Sequence, residues 1–248
     1  MMTDLERLLA EHGMGVPRLD PLLDAGSGVT VLGFSSAGEQ ALAWWRRLRE
    51  VSDRVGHWPL LLSPEMPAVL SQPRVAPAVL LARAAELDGA EVLARHGGRL
   101  ESLDEQQRRE LLARWPQEPC RYDGFRLPFS ATGQPDPTLV ALVPAQHGWQ
   151  VPAVLGYGGW NDYPPPAEHS AILRYWHDRY GAELVCMSKA SVELMIARPP
   201  RTHQDALAFA WEYCSYCYDG VDVLYEADDV GALAASLIDA EVVHAWWD

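Results

Sequence analysis

The chain has 248 residues, 48 % of them hydrophobic, and a formal net charge of −14. That length holds one large domain or two small ones with a real core, and the apolar fraction excludes a disordered chain. Nucleic-acid binding rests on neutralising phosphates with Lys and Arg, so the charge argues against such a partner and leaves a basic protein or a small molecule as the easier one.

In chain order, Thr3-Asp4-Leu5-Glu6 has capping-box form and opens a short amphipathic helix in "MMTDLERLLAEHG". This acidic start differs from a basic leader, and the apolar runs fall short of the roughly 18 residues of a membrane helix. The expectation is a cytoplasmic protein off the membrane. "GVTVLGF" and "WPLLLS" read as strands with a helix between them. Ser102-Leu103-Asp104-Glu105 caps the helix "LDEQQRRELLARW", which Pro116 stops. Residues 117–137 carry four prolines and two glycines without periodicity and read as a connecting segment, too aromatic to be a free linker. "TLVALVP" and "QVPAVLGY" read as two strands joined by a hairpin at Gln146-His147-Gly148. "AELVCMS" and "SVELMIA" read as another pair joined at Lys189-Ala190. Thr202 opens the helix "HQDALAFAWEYCSYCY", and Asp228 or Asp229 caps "VGALAASLI". The implied organisation is a helix-rich N-terminal lobe (1–116) with one βαβ-like unit, the connector (117–137) and a C-terminal domain (138–248).

An internal echo crosses these divisions. "VLGF" at 31–34 matches "VLGY" at 154–157, and "SDRVGHWPLLLS" at 52–63 matches "HDRYGAELVCMS" at 177–188. Both stretches read strand, helix, glycine stop, strand, the order of a βαβ unit with parallel strands. Duplication and recurrence of a common motif both account for it. The expected fold is α/β or α+β: a mixed sheet flanked by helices, with possible duplicated βαβ units.

The stretch "VLGYGGWNDYPPPAEH" (154–169) is the place where chemistry would sit. A dinucleotide turn wants G-x-G-x-x-G, whose amides approach a pyrophosphate. Here the third glycine is misplaced, Pro164, Pro165 and Pro166 supply no N–H, and Ser188 stands where a ribose-binding acid belongs. No G-K-[ST] occurs. The alternative is a recognition loop made by Gly158, Gly159, Trp160, Asn161 and Asp162, with His169 on the following helix. His169 shares a helical face with Leu173, Trp176 and Tyr180, which suits a core histidine. The functional reading pairs His169 with Asn161 or Asp162 as acid and base at the end of a strand.

Other candidates are weaker. Cys214-Ser215-Tyr216-Cys217 lacks the second ligand pair of a zinc site and lies near a helix end, whereas redox pairs sit at helix starts. Its thiols, like Cys120 and Cys186, are expected to be reduced. Neither a G-x-S-x-G elbow nor an H-E-x-x-H helix occurs. Lys189, the single lysine, is expected to be solvated. Glu193, two residues before Met195 in a strand, reads as a solvent-side residue or a site carboxylate. The terminal "HAWWD" reads as a core seal or an exposed aromatic anchor.

Several segments share an order with a known family: "VPAVLGYGGWN", "PP", "H", "LRYWHDRYGAELV", "RPP", "ALAFAWEYCSYCYD" and a terminal "WWD". Over residues 138–248 the chain resembles the bacterial domain of unknown function 4253, and "AWWRRLREVSDRVGHWPLLL" resembles the region that precedes that domain. The resemblance transfers no activity. It draws attention to Gly159, Trp160, Asn161, His169, Trp176, Gly181, Glu183, Glu212, Asp219 and Trp247.

The leading expectation is a non-catalytic bacterial binding protein, immunity- or antitoxin-like, with an acidic surface for a basic partner and no cofactor or metal. The alternative is a small-molecule enzyme using Asn161, Asp162 and His169, with a nucleotide binder as a further alternative.

Overall fold

The computed structural model describes residues 2–70, 75–97, 104–113, 115–116, 118–161, 163–227 and 229–248. Ser102, Leu103, Asp162 and Asp228 therefore lie outside the described residues. The first helix, α1 (Asp4–Glu11), has the capping box expected of Thr3 and Glu6. Two strands follow, β1 (Asp20–Asp24) and β2 (Thr30–Ala37), then α2 (Gly38–Val55) and β3 (Trp58–Leu62). Helices α3 (Met66–Leu70), α4 (Pro77–Glu86), α5 (Gly89–Gly97) and α6 (Glu105–Ala113) lead to the connector. Beyond it come β4 (Pro137–Val143), α7 (Val151–Leu155), α8 (Pro166–Tyr180), β5 (Ala182–Met187) and β6 (Ser191–Ile196). The chain ends with α9 (His203–Tyr216), α10 (Gly220–Tyr225), α11 (Val230–Leu237) and β7 (Val242–Trp246).

Among the described residues the strands form one mixed sheet in the order β1-β2-β4-β3-β5-β6-β7. With helices packed on it, the fold is α/β. All neighbours are antiparallel except β3 and β5. β3, "WPLLL", is buried at every position, as a central strand covered on both faces must be. The residues placed opposite one another run Phe34, Val140, Leu61, Cys186, Glu193, His244 across six strands. Cross-strand partners share a face, so these six side chains form one transverse row. No described helix is long and apolar enough to cross a membrane.

β4 sits between β2 and β3, so the sheet interleaves strands from both sides of the connector. Because β2 and β3 are each antiparallel to β4, they run in the same direction, and residues 30–62 form a parallel βαβ unit with a strand inserted into it. The echo is kept in its second half. α2 and α8 both end on a glycine in the left-handed region, Gly56 (φ 69°) and Gly181 (φ 65°), and the strands that follow pair in parallel. Leu61 faces Cys186 and Leu62 faces Met187, the same residues that the echo aligns.

The first half of the echo departs from expectation. "VLGF" is strand, but "QVPAVLGY" forms a 3-10 turn (Gly148–Gln150) and α7, and no hairpin turns at Gln146-His147-Gly148. The run is apolar throughout, and a fully buried run lacks the periodicity that separates strand from helix. Pro152 sits in the first turn of α7, where a helix needs no N–H. The Lys189-Ala190 turn does join antiparallel β5 and β6.

The connector is fastened to the sheet. Tyr122, Phe125, Leu127 and Phe129 pack against the core, Tyr122 Oη donates to the Leu224 carbonyl (2.6 Å), and the Gly38 amide donates to the Pro128 carbonyl (3.0 Å).

Candidate functional site

The corner between α7 and α8 is a compact reversal. Gly156 ends α7 in the left-handed region, and the Tyr157 amide bonds back to the Pro152 carbonyl (2.9 Å). Gly159 N–H donates to Pro164 O (3.1 Å) and Tyr163 N–H to Trp160 O (3.1 Å), which closes the loop on itself. Pro166 then starts α8. Gly158 has φ 106°, and a Cβ there would collide with the Pro164 carbonyl and lie 2.6 Å from His169 Cδ2 and 2.9 Å from Nε2. Glycine lets the backbone come this close to the His169 ring.

His169 is fully buried. Its Nδ1 bonds to Tyr216 Oη (2.9 Å), and its ring lies 5.3 Å from Tyr157, 5.4 Å from Tyr216 and 5.6 Å from Trp247. Burial pushes the imidazole down to about 3, so it is neutral at physiological pH. His169 Nε2, Tyr157 Oη and Trp247 Nε1 have no hydrogen-bond partner among the described residues. Asn161 (φ 48°) turns outward from this cluster and donates through Nδ2 to the Asp248 carbonyl (2.6 Å). Tyr163 donates to the Lys189 carbonyl (2.7 Å), tying the corner to the β5–β6 hairpin, and Trp160 packs edge-on to Tyr157 at 5.2 Å. The structure thus brings Gly158, Gly159, Trp160, Asn161 and His169 into one corner. The imidazole and the Asn161 amide serve separate internal bonds.

Glu193 belongs elsewhere. It lies in the transverse row between Cys186 and His244, buried, with its carboxylate accepting the Arg126 (2.8 Å) and Leu127 (2.9 Å) amides of the connector. His244 Nε2 donates to the Gly124 carbonyl (3.1 Å), and its Nδ1 lies 3.8 Å from Glu193. Burial pushes Glu193 up to about 7 against the lowering effect of the two amides, and pushes His244 down to about 4. The row's chemistry is to hold the connector on the sheet.

The other highlighted positions also join elements. Glu183 on β5 takes a bidentate bond from Arg49 on α2 (2.7 and 3.2 Å), whose guanidinium lies 4.5 Å from the Trp58 ring. Glu212 on α9 accepts from Tyr175 (2.9 Å), Trp176 (3.0 Å) and Arg179 (2.8 Å) on α8. Cys217 donates to the Trp246 carbonyl (2.9 Å), and burial pushes both Cys214 and Cys217 up to about 12. Among the described residues, no cluster of three or more His, Cys, Asp or Glu side chains is placed to hold a metal ion.

One concavity escaped the sequence reading. A cleft of about 510 Å³ opens between the ends of α5 and α9, the turn at Tyr218-Asp219 and Trp247. Its floor residues Tyr216 and Trp247 are the same rings that enclose His169. Tyr218 and Cys214 were legible only as helix-face aromatics and thiols, because the cleft is made by segments more than a hundred residues apart.

No curated protein and no solved structure matches the chain. The corner, the hairpin that Tyr163 ties to it, the α8–α9 pairing through Glu212 and the Asn161–Asp248 contact all lie within a single stretch. Residues 139–248 match the family model described as "Domain of unknown function (DUF4253)".

Proposed function

We propose that the chain is a non-catalytic binding protein for a basic protein partner, an immunity- or antitoxin-like sequestering factor of the bacterial cytoplasm. The observation that carries this reading is the burial of His169 and the separate engagement of His169 and Asn161. A fully buried imidazole held near 3, with Nδ1 on Tyr216, has no route to exchange a proton with a substrate at neutral pH. Asn161 is engaged with Asp248 and not with His169. That weakens the small-molecule enzyme reading. Proline at 164, 165 and 166 likewise denies a nucleotide the amides it would need. The net charge of −14 favours association with a basic surface and accelerates it at low salt. Four free cysteines agree with a reducing compartment.

Affinity capture from the native host at low ionic strength, followed by mass spectrometry, tests this. The expected result is one stoichiometric partner of basic pI, released as salt is raised. Capture of no stoichiometric partner at low salt overturns the reading.

A further inference from the structure

We propose that Glu193 and His244 form a proton-balanced latch on the connector: when residues 124–127 lift in mildly acidic solution, the proton held by the carboxyl group is matched by one gained at the imidazole, and none is exchanged overall. The latch is independent of the binding reading. Glu193 and His244 stand opposite one another on β6 and β7, each 3 % exposed. The connector lies on both. The Arg126 and Leu127 amides donate to the two Glu193 oxygens (2.8 and 2.9 Å), the Gly124 carbonyl accepts from His244 Nε2 (3.1 Å), and the Tyr122 ring lies 4.3 Å from the imidazole. A carbonyl only accepts, so Nε2 carries the hydrogen. The lone pair of the neutral ring is then on Nδ1, 3.8 Å from Glu193 Oε1. Burial favours the neutral form of each group, so the closed pair holds one proton, on the carboxyl. With the connector lifted, both groups meet water. The carboxyl O–H bond breaks and an N–H bond forms at Nδ1, so the pair still holds one proton.

The direction of each effect fixes the outcome. Burial holds Glu193 at about 7 against an ordinary 4.5, and His244 at about 4 against 6.5. Taken alone, Glu193 favours closure below pH 4.5, and that contribution is lost as pH rises through 7. Taken alone, His244 favours closure above pH 6.5, and that contribution is lost as pH falls through 4. The two windows nearly coincide and run in opposite directions, so the strength of closure stays almost level. The neighbouring groups leave this balance intact. Cys186 bonds to Glu193 from β5, Tyr122 covers the imidazole, and the Tyr213 and Tyr225 hydroxyls bond to the His244 backbone. Burial pushes all four upward, away from the range in which the pair titrates. The Arg126 guanidinium lowers both members of the pair alike.

Hydrogen exchange of the Arg126 and Leu127 amides in the full chain, followed by NMR and corrected for the intrinsic rate, reads the lifting directly. From pH 5 to pH 7 the wild-type protection factor should change about twofold or less. His244→Gln keeps a donor for the Gly124 carbonyl and should lose protection about 40-fold over the same rise in pH. Glu193→Gln keeps an acceptor for the amides and should gain protection about 20-fold. A wild-type change above about fivefold, or a variant as level as wild type, overturns the proposal. Should the variants not fold, the wild type decides alone. At about pH 5.5 the Glu193 carboxyl carbon should read protonated and the His244 ring neutral. An ionised carboxylate or a charged imidazole at that pH overturns the proposal.

Discussion

A methyl group added at Gly158 would have to occupy space held by the Pro164 carbonyl and the His169 ring, in a backbone region that side chains avoid. Gly156, two residues earlier, is also left-handed, but nothing lies within 4 Å of its absent Cβ. The two substitutions therefore separate backbone strain from collision. Gly156→Ala should lower stability by about 1 kcal/mol, the left-handed cost alone. Gly158→Ala should lower it by about 3 kcal/mol or more, since overpacking adds to strain. Urea unfolding of both variants measures the difference, and equal losses would mean that the corner does not rest on His169. The corner was visible in the sequence because glycine and proline punctuate it, and the burial of His169 followed from its helical companions Leu173, Trp176 and Tyr180. Its bond to Tyr216 and its contact with Trp247 were not visible, because those residues arrive from other elements.

Among the connector's anchors are Glu193 and His244 on one strand pair, and protons act on these two in opposite directions. Glu193, raised to about 7 from an ordinary 4.5, holds its proton longer in the native state. Its burial therefore lowers stability as pH rises from about 4.5 to 7. His244, lowered to about 4 from 6.5, is neutral when the unfolded chain would protonate, so stability is lost as pH falls from 6.5 to 4. His169 acts like His244 over the window from 6.5 down to about 3. Glu193→Gln removes the opposing contribution alone. Its destabilisation relative to wild type should be smaller at pH 8 than at pH 5 by on the order of 1–3 kcal/mol, read from urea unfolding at both pH values. A gap that does not change with pH would show that Glu193 is ionised throughout. At this scale the helix ends were legible, because Thr3, Thr202 and Asp229 cap through local bonds. α7 was misread because its apolar run has no period, and β1, with Pro21 and two aspartates, gave no strand signal.

The molecule as a whole is joined by β4. Among the described residues its sheet neighbours are β2 and β3, and the family match at 139–248 begins inside it, so the neighbours lie outside that match. An isolated fragment 138–248 would keep β5, β6 and β7 but leave β4 unpaired on both sides and remove Arg49 from Glu183. It should show collapsed amide dispersion by NMR, and mixing with a fragment 1–137 should restore native dispersion. A well-dispersed spectrum from 138–248 alone would contradict this. The pairing of β4 was hidden from the sequence because strand adjacency is a non-local choice that "TLVALVP" does not encode by itself. Order of synthesis adds a further consequence. β2 and β3 leave the ribosome with the place between them empty, and residues 63–136 must be made before β4 can fill it. At about 5–20 residues per second this interval is on the order of ten seconds, during which two apolar strand edges stand open. The nascent chain should therefore be most prone to aggregate during that interval and less so once β4 has emerged.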